Sequence, residues 1–481
     1  MSFERKLQLA TDFYQLSMGN VYYLDGKKDQ IAVFDLFIRK NPCESGYTMV
    51  AGLEQIIEYI ENLHFDEQDI EMLKKNHPEF NKEFLEYLRN FSFSGEIYAM
   101  PEGTITFPNE PIVRVKAPLI EAQLIETTML TIINHQCLIA TKASRIVKAA
   151  DGDGVLEFGL RRAHGSEAGL YGARAAIIGG CNGTSNVETE ALIGLPSKGT
   201  MSHSLIQSYD SELEAFRTYA KYNANNLLLL VDTYNTLESG IPNAIRIFNE
   251  QREKNKLNGV YGIRLDSGDL AYLSKKSRIM LDEAGFKDAI ISASSDLDEH
   301  LIRDLKLQGA DITLWGVGTK MITSYDCPAL GAVYKLSQIQ DNGYIKPKIK
   351  ISNDAIKITN PGYKKVVRFY DKNNHKALAD LIMLDHEKID ESKPMVIFDP
   401  IYTWKKRVLT NFYCKELLVP IFIDGKKVYN SPNIKEMQQR ATEQKNSFWQ
   451  EYHRILNPHV FHVDLSEELW NLKQDLIHLE R

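Results

Sequence analysis

Seven short apolar runs between residues 155 and 320 end on small or charged residues, and a helical pattern follows most of them. They cover residues 156–160, 175–178, 227–231, 260–263, 290–291 and 312–315, together with the segment that starts at Gly194 and leads into Gly199. Such alternation is typical of a parallel sheet whose strands are buried on both faces. We therefore predict an α/β fold with an irregular, TIM-like α/β barrel, whose strand ends meet at one rim. The alternative is an open doubly wound sheet, in which site residues are needed only at the switch point.

The sequence on either side of the barrel run has a different character. Residues 1–145 combine an apolar strand at 31–38 with several helical patterns, and residues 345–481 contain two hairpin patterns followed by polar helices. The hairpin signals are the turns at 371–374 and at Asp424-Gly425. We predict three domains: an N-terminal α/β domain (1–145), the catalytic barrel (146–344) and a C-terminal α+β extension (345–481).

Composition excludes several classes of protein. The formal net charge of −7 over 481 residues argues against a general nucleic-acid or anionic-membrane binder. The five cysteines form no C-x-x-C pair, which indicates a reducing compartment rather than a disulfide framework. The charged N-terminus lacks a signal-peptide pattern, and no apolar run reaches the ~20 residues that span a bilayer. We expect a cytoplasmic protein without nucleic-acid or membrane partners.

His203 is the first candidate for chemistry, because it lies in a Gly-Thr-x-Ser-His-Ser turn at a predicted strand end. An isolated histidine is more often structural, but the neighbouring hydroxyl groups can orient its ring. A neutral imidazole nitrogen is a nucleophile near pH 7. No Gly-x-Ser-x-Gly motif accompanies it.

Carboxylates follow two neighbouring predicted strands, at Asp232 and in the turn from Asp266 to Asp269. They suit contact with a sugar diol, a Mg²⁺ ion shared with a polyphosphate, or an oxocarbenium ion. Helix capping by Asp266 or Ser267 is the simpler alternative. The turn from Gly316 to Thr319 is a candidate phosphate cradle, although Gly-x-Gly alone is a weak signal. Basic residues that an anionic substrate would need also stand at strand ends: Arg39, Lys40, Arg161, Arg162, Arg264 and Lys320.

Seven stretches together resemble the nicotinate phosphoribosyltransferases, which are type II phosphoribosyltransferases. They are Leu9-Ala10-Thr11-Asp12-Phe13-Tyr14-Gln15, Phe34-Asp35-Leu36-Phe37-Ile38-Arg39, Glu157-Phe158-Gly159-Leu160-Arg161-Arg162-Ala163, Gly183-Thr184-Ser185-Asn186-Val187, Gly199-Thr200-Met201-Ser202-His203-Ser204, Ile263-Arg264-Leu265-Asp266-Ser267-Gly268-Asp269 and Gly316-Val317-Gly318-Thr319. Cys181-Asn182 and Glu188-Thr189-Glu190, beside the substrate loop, depart from the family pattern.

The resemblance implies an activity. Nicotinate and 5-phosphoribosyl 1-diphosphate would give nicotinate mononucleotide and diphosphate, the first step of NAD salvage from nicotinate. ATP hydrolysis would be coupled to this transfer through a phosphohistidine at His203, with Mg²⁺ as a further cofactor. The family also implies a homodimer with shared active sites.

The resemblance assigns roles by motif. The implied catalytic residues are His203, Asp232 and Asp266, the last also facing the metal through the diphosphate. The implied nicotinate site comprises Tyr14 (from the neighbouring subunit), Phe158, Arg161, Ser185, Thr200 and Arg264. The implied phosphoribosyl diphosphate site comprises Arg39, Ser267, Gly268, Gly316, Gly318 and Thr319.

Three alternatives remain open at this point. The chain could use nicotinamide in place of nicotinate. It could be a Schiff-base aldolase with Lys320 as the amine, which leaves His203 and the arginine-rich turns unexplained. It could also be a catalytically silent paralogue, although such a protein would be expected to have lost His203 or Asp266.

Overall fold

A computed structural model describes residues 6–354 and 357–479. The strands are β1 (Ile31–Phe37), β2 (Thr48–Met49), β3 (Glu96–Ala99), β4 (Ile105–Thr106), β5 (Val113–Pro118), β6 (Gly154–Glu157), β7 (Gly183–Thr184), β8 (Asn226–Leu230), β9 (Val260–Leu265), β10 (Ile290–Ser295), β11 (Leu314–Val317), β12 (Val333–Asp341), β13 (Tyr344–Pro347), β14 (Lys364–Asp371), β15 (Ala377–Leu384), β16 (Met395–Phe398), β17 (Lys406–Leu409), β18 (Phe412–Glu416), β19 (Val419–Ile423), β20 (Lys426–Lys427) and β21 (Val463–Leu465).

The α-helices are α1 (Phe13–Leu24), α2 (Leu53–Glu61), α3 (Glu67–Asn76), α4 (Lys82–Arg89), α5 (Leu119–Leu124), α6 (Glu126–Ala150), α7 (Ser166–Gly179), α8 (Val187–Ile193), α9 (His203–Gln207), α10 (Glu212–Tyr222), α11 (Ile241–Glu253), α12 (Leu270–Glu283), α13 (Glu299–Leu307), α14 (Thr319–Ile322), α15 (Ile434–Ser447) and α16 (Glu467–Leu479). Short 3₁₀ turns cover Leu7–Leu9, Leu160–Arg162 and Gln450–His453, and a π-helical turn covers Thr236–Gly240.

The chain divides into two compact units, one formed by residues 139–328 and the other by residues 1–138 with 329–481. This grouping differs from the three predicted domains, since the first and third segments share one unit. The reason is long-range pairing: β1 pairs antiparallel with both β5 and β12, and β3 pairs with β19. Local composition and periodicity carry no information about pairing between strands that are far apart in the sequence.

The unit of residues 139–328 contains a six-stranded parallel sheet in the order β7-β6-β11-β10-β9-β8. The strands are buried and helices connect them, so the α/β class is confirmed. The sheet forms a curled half-barrel with edges at β7 and β8, which is the irregular form of the barrel that the sequence predicted. The predicted site residues that follow strands therefore meet at one rim.

Two of the seven predicted strands are wrong. Residues 175–178 lie in α7, which buries every residue from Gly172 to Gly179, and a short apolar run does not by itself distinguish a buried helix from a strand. The segment before Gly199 forms neither helix nor strand. It instead runs between the two sheet edges, where Lys198 N donates to Thr184 O of β7 (2.7 Å) and Asn226 Nδ2 of β8 donates to Gly199 O (3.3 Å).

The other unit is built on a seven-stranded antiparallel sheet in the order β13-β12-β1-β5-β3-β19-β20. A four-stranded sheet, β18-β14-β15-β21, contributes a second core in which Phe369, Leu381 and Phe412 are fully or almost fully buried. Both predicted hairpins are present, as β14–β15 and β19–β20. Asp424 and Gly425 both adopt positive φ, as a tight two-residue hairpin turn requires.

Candidate active site

A cavity of about 670 Å³ opens at the carboxyl ends of the parallel strands. Its lining includes Phe158 and Arg161 after β6, Ser185 after β7, Arg264 and Asp266 at the end of β9, Ser294 in β10, and Gly316, Gly318 and Thr319 at the end of β11. Thr200 and Met201, from the segment between the sheet edges, complete the wall. Residues from distant parts of the sequence thus share one polar cavity, as expected for strand ends in a parallel sheet.

Arg264 is the central side chain of this cavity. Its Nη2 donates to Asp266 Oδ1 at 2.8 Å, and its Nε donates to Ser294 Oγ at 2.8 Å. Its Nη1 donates to Thr200 Oγ1 at 3.0 Å and to the Met201 carbonyl at 3.2 Å. The planar guanidinium is therefore held from three sides, which fixes its orientation.

The environment keeps Asp266 ionised. Burial by itself would raise the pKa of this carboxyl, but a hydrogen bond from Ser294, the charge and hydrogen bond of Arg264, and the nearby His203 outweigh it. The resulting pKa lies below the usual value of 3.8. Oδ1 accepts the hydrogen bonds from Arg264 and Ser294, while Oδ2 lies 3.7 Å from His203 Nε2. A negative charge is thus preorganised beside the cavity.

Asp232 is a buried carboxylate directly behind Asp266. Its Oδ2 accepts from the main-chain N–H of Asp266 at 2.8 Å and from Ser267 Oγ at 2.7 Å. Its Oδ1 has no hydrogen-bond partner among the described residues and lies 4.0 Å from His203 Nε2. The side chain is only 2% exposed, so its charge is poorly screened by water. Asp232 therefore both braces the Asp266 turn and adds negative potential to the site.

His203 is the first residue of α9 and faces both carboxylates through Nε2. Its Nδ1 lies 3.1 Å from Thr233 Oγ1, the residue that follows Asp232. With 39% of its side chain exposed, the ring is accessible from solvent.

Helix capping was the simpler alternative for Asp266 or Ser267 in the acidic turn. The residue that caps the following helix is instead Asp269, whose side chain accepts from Tyr272 N.

Phe158, Gly316 in β11 and Gly318 just after β11 form the apolar side of the cavity. A Cβ atom at Gly316 would lie 2.7 Å from the Phe158 ring, and one at Gly318 would lie 3.0 Å from the Phe158 carbonyl oxygen. Glycine at both positions therefore lets the strand pack closely against Phe158. The guanidinium of Arg264 lies 5.9 Å from the centre of the Phe158 ring. An aromatic face and a cation consequently border the same space.

Ser185 lines the cavity from a loop held by a buried acid. The Ser185 N–H donates to the Glu157 carbonyl oxygen at 3.0 Å, and the Glu157 carboxylate accepts from Thr184 Oγ1 at 2.6 Å and from the Gly159 N–H. Burial raises the pKa of Glu157 despite these hydrogen bonds. The helix that follows is capped by Asn186, which accepts from Glu188 N at 3.0 Å. The hydroxyl of Ser185 is therefore not its cap.

The two stretches that depart from the family pattern support this region. Asn182 Oδ1 accepts from Val155 N at 2.8 Å, and Glu190 Oε2 accepts from Ser197 N at 2.9 Å. The second contact connects α8 to the segment between the sheet edges. Asn182 and Glu190 thus hold the backbone around the cavity, and neither side chain lines the cavity itself.

The remaining predicted residues fall into two groups. Arg161 is exposed in a 3₁₀ turn on the cavity wall, and Ser267 and Gly268 belong to the exposed turn beside Asp266. Tyr14 and Arg39 belong to the other compact unit. Tyr14 lies on α1 with 46% of its surface exposed, and Arg39 has a buried Nε without a hydrogen-bond partner among the described residues.

Reasoning from the sequence missed three residues that organise the cavity. Ser294 contacts both Arg264 and Asp266, Glu157 holds the Ser185 loop, and Thr233 contacts His203. Each lies at or just beyond the end of a parallel strand. The carboxyl ends of parallel strands converge, and this rule had pointed to Asp266. The same rule would have been enough to find all three residues.

Lys320 forms an ion pair with Asp298 at 2.6 Å and is not among the residues that line the cavity. The paired ammonium group argues against a Schiff-base role, which needs a free amine. Within residues 6–354 and 357–479, no helix has both the length and the apolar character needed to cross a membrane.

Comparison with known proteins agrees with this geometry. Three family models match: the nicotinate phosphoribosyltransferase N-terminal domain at residues 9–134, the nicotinate phosphoribosyltransferase family at 154–380, and its C-terminal domain at 363–473. The chain is 50% identical to a nicotinate phosphoribosyltransferase of Bacillus subtilis over 473 residues, covering 98% of this chain and 95% of that protein. It is 34% identical to one from Dictyostelium discoideum, with 97% and 88% covered.

A solved structure shows the same fold. The crystal structure of human nicotinic acid phosphoribosyltransferase superposes with a TM-score of 0.85 at 25% identity, over 98% of this chain and 100% of that one. The family models, the sequence relatives and the shared fold lead to one conclusion: the chain belongs to the nicotinate phosphoribosyltransferase family.

Proposed function

We propose that this chain joins nicotinate to 5-phosphoribosyl 1-diphosphate in the salvage of nicotinate for NAD. The pyridine nitrogen forms a bond to C1 of the ribose while the bond from C1 to the diphosphate breaks, and nicotinate mononucleotide and diphosphate are released. The observation that carries this proposal is the set of contacts at the barrel rim: Asp266 is held by Arg264 and faces His203 at 3.7 Å. Cations for an anionic substrate and carboxylates for a cationic transition state stand side by side there.

The carboxylates of Asp232 and Asp266 would stabilise the positive charge that develops on the ribose as the diphosphate departs. Asp266 keeps its charge because its pKa is lowered, and Asp232 is buried and fixed by two hydrogen bonds. Fixed charges in a site with little water stabilise a developing charge without reorganisation at the moment of reaction.

Nicotinate would stack on Phe158, with Tyr14 on its other face. Its carboxylate would bind among Arg161, Arg264, Thr200 and the Ser185 hydroxyl. Arg264 supplies a guanidinium group and Ser185 adds a neutral donor, so this end of the cavity favours an acid over an amide.

The phosphoribosyl diphosphate would bind beside the nicotinate in the same cavity. The backbone N–H groups of Gly316, Gly318 and Thr319, which line the cavity after β11, would bind the 5-phosphate. Ser267 and Gly268 would face the ribose and diphosphate from the turn beside Asp266. Arg39 is assigned to the diphosphate only by the family motif, and its buried Nε has no hydrogen-bond partner among the described residues.

Mg²⁺ fits this site as a companion of the diphosphate. Among the described residues, no group of three or more His, Cys, Asp or Glu side chains is arranged to hold a metal ion by itself. Mg²⁺ commonly takes only one or two carboxylates and fills its shell with water and phosphate oxygens. Asp266 Oδ2, the carboxylate oxygen that does not bind Arg264 or Ser294, is suited to be that ligand. The ion would neutralise charge on the leaving diphosphate.

ATP would act through His203. A ring nitrogen attacks the γ-phosphorus, the bond to ADP breaks, and a phosphohistidine forms that water later hydrolyses to phosphate. The ring is accessible and is oriented by Thr233. A phosphoryl group beside Asp232 and Asp266 would alter the charge around the diphosphate site. This change of charge is the physical means by which ATP would be coupled to the transfer.

We also propose a cytoplasmic homodimer with shared active sites, in which Tyr14 enters the site of the neighbouring subunit. The exposed position of Tyr14 on α1 supports this arrangement.

A single assay tests the proposed reaction. The full chain is incubated with nicotinate, 5-phosphoribosyl 1-diphosphate, Mg²⁺ and ATP, and nicotinate mononucleotide and ADP are quantified by chromatography. We expect both products, with nicotinamide a poor substitute for nicotinate. The absence of nicotinate mononucleotide from an assay with folded protein would refute the proposal, and a preference for nicotinamide would refute the assignment of the base.

A further inference from the structure

The unit formed by residues 1–138 and 329–481 contains a cavity of its own, with a volume of about 150 Å³. Its walls come from the N-terminal strand β1, the turn at residues 108–111, the strands β14, β15 and β21, and the last helix, α16. Phe37, Ile382 and Trp470 form part of an apolar wall. Since liquid water occupies about 30 Å³ per molecule, this space suits a small solute of a few heavy atoms.

Two lysines and one carboxylate line this cavity. Lys364 Nζ lies 2.7 Å from Asp35 Oδ2 and also donates to the Gly362 carbonyl oxygen. Lys473 Nζ donates to Asn360 Oδ1 at 2.8 Å, which is a neutral acceptor. Among the described residues, no acidic side chain forms an ion pair with Lys473. Burial lowers the pKa of Lys364, although the charge of Asp35 opposes this effect. With both lysines protonated, the cluster holds two cations and one carboxylate.

An unbalanced ammonium group in a cavity is unfavourable unless an anion joins it. Burial, aided by the positive charge of Lys364, lowers the pKa of Lys473 to about 8. Below that value, at the pH of 6.5 used in the test, the ammonium form is favoured. A bound monoanion would complete the charge balance of the cluster.

Asp35 specifies a second property of the ligand. Its Oδ1 is buried and has no hydrogen-bond partner among the described residues, although the side chain belongs to the cavity lining. A buried carboxylate oxygen requires a donor. A ligand that both accepts from Lys473 and donates to Asp35 satisfies the two groups together.

We propose that this cavity is a binding site for a small monovalent oxyanion that carries a hydroxyl group. Monobasic phosphate and a two-carbon hydroxy acid share this chemistry. The site gives the C-terminal segment a role of its own, because β14 and α16 supply the two lysines and β1 supplies the acid. None of its lining residues belongs to the active site proposed above.

The test uses crystals of the full chain soaked near pH 6.5 with arsenate, which mimics phosphate and scatters anomalously at the arsenic absorption edge. A parallel soak contains glycolate. The variant is Lys473→Gln, and the matched control is Lys426→Gln, which removes an exposed lysine in β20. Because diffraction locates each ion, binding at the catalytic cavity does not confuse the result.

We expect arsenate or glycolate between Lys473 and Asp35 in the wild type and in Lys426→Gln. The occupancy should fall at least tenfold in Lys473→Gln at the same concentration. Occupancy by arsenate assigns phosphate as the ligand class, and occupancy by glycolate alone assigns a hydroxy acid. A cavity that holds neither anion, or that holds one equally well in Lys473→Gln, overturns the proposal. Activity with nicotinate is measured on the same protein, so failure of the anion site is separable from failure of the proposed reaction.

Discussion

The main-chain N–H of Asp266 donates to Asp232 Oδ2 at 2.8 Å, so two carboxylates from neighbouring parallel strands are connected through the backbone of one of them. This contact places the Asp266 side chain toward Arg264 and His203 while Asp232 stays buried. The pair is thus divided in function: one carboxylate braces the turn and the other is presented to the cavity.

Substitution of Asp232 by Asn should weaken the electrostatic stabilisation of the ribose. The amide oxygen can still accept from the Asp266 N–H and the Ser267 hydroxyl, but the charge is lost and the NH₂ group replaces Oδ1, the oxygen that faces His203. We expect kcat/KM to fall by about 100-fold, the size of loss typical of removing one preorganised electrostatic contact. Asp311→Asn, an exposed acid on the same unit, is the control. Unchanged kinetics in the folded Asp232→Asn protein would contradict this role.

Ser294→Ala tests how the pKa of Asp266 is lowered. The variant removes a donor to Asp266 and an acceptor of Arg264, so the pKa of Asp266 should rise. A lowered carboxyl pKa stabilises the fold above the pKa of the unfolded chain, and that stability is lost as the pH falls through the folded pKa. The wild type should therefore exceed Ser294→Ala in unfolding free energy at neutral pH, and the difference should narrow below pH 3.8.

We expect kcat/KM of Ser294→Ala to fall about 30-fold, since two hydrogen bonds worth roughly 1 kcal/mol each are lost. Denaturant unfolding at several pH values gives the stability difference. Ser292→Ala, two residues earlier in β10, controls for the loss of a buried hydroxyl. A difference that is independent of pH would indicate that Ser294 acts by packing alone.

His203→Ala should abolish nicotinate-stimulated ATP hydrolysis while slow ribosyl transfer continues, because the alanine removes the phosphate acceptor but keeps both carboxylates. The measurement is transfer of ³²P from γ-labelled ATP to the protein, with acid lability as the signature of phosphohistidine. His300→Ala on α13 serves as the matched histidine control. Acid-labile label on the His203→Ala protein would exclude this assignment.

Ser185→Asp should change the choice between acid and amide. The new carboxylate would repel nicotinate and accept from the NH₂ group of nicotinamide. Like charges in a partly desolvated site cost several kcal/mol, so the ratio of kcat/KM values should shift by about 1,000-fold, chiefly through loss of nicotinate. Ser208→Asp adds the same charge on an exposed residue as a control. A ratio equal to that of the wild type would direct attention to Thr184 and Thr200.

Mixed dimers test whether Tyr14 is shared. Tyr14→Ala and Asp266→Ala chains should each be inactive alone, and a hybrid dimer would contain one intact site. We expect activity to approach about a quarter of the wild-type value after random exchange of equal amounts, since half the dimers are hybrids with one working site of two. Labelled subunits confirm exchange. Complete exchange without recovered activity would place Tyr14 outside the partner's site.

The sequence by itself was sufficient for the α/β class, the two hairpins and the family. Local signals carry this information: alternating apolar runs, the Asp424-Gly425 turn and motifs such as 199–204 and 263–269 depend on neighbouring residues only. The strand-end rule also identified Asp232, Arg264 and Asp266 without knowledge of tertiary contacts. Sites at strand ends are predictable because the topology of a parallel sheet forces those ends together.

Tertiary structure decided what depends on distant partners. The run at 175–178 is helical because it lies in α7, whose C-terminal half is buried throughout. The segment before Gly199 forms hydrogen bonds with the two edge strands of the parallel sheet and is not itself a strand. The N- and C-terminal segments merged because β1 and β3 pair with β12 and β19. The excess charge around Lys473 likewise arises only when α16 meets β1 and β14, since residues far apart in the chain share that cavity.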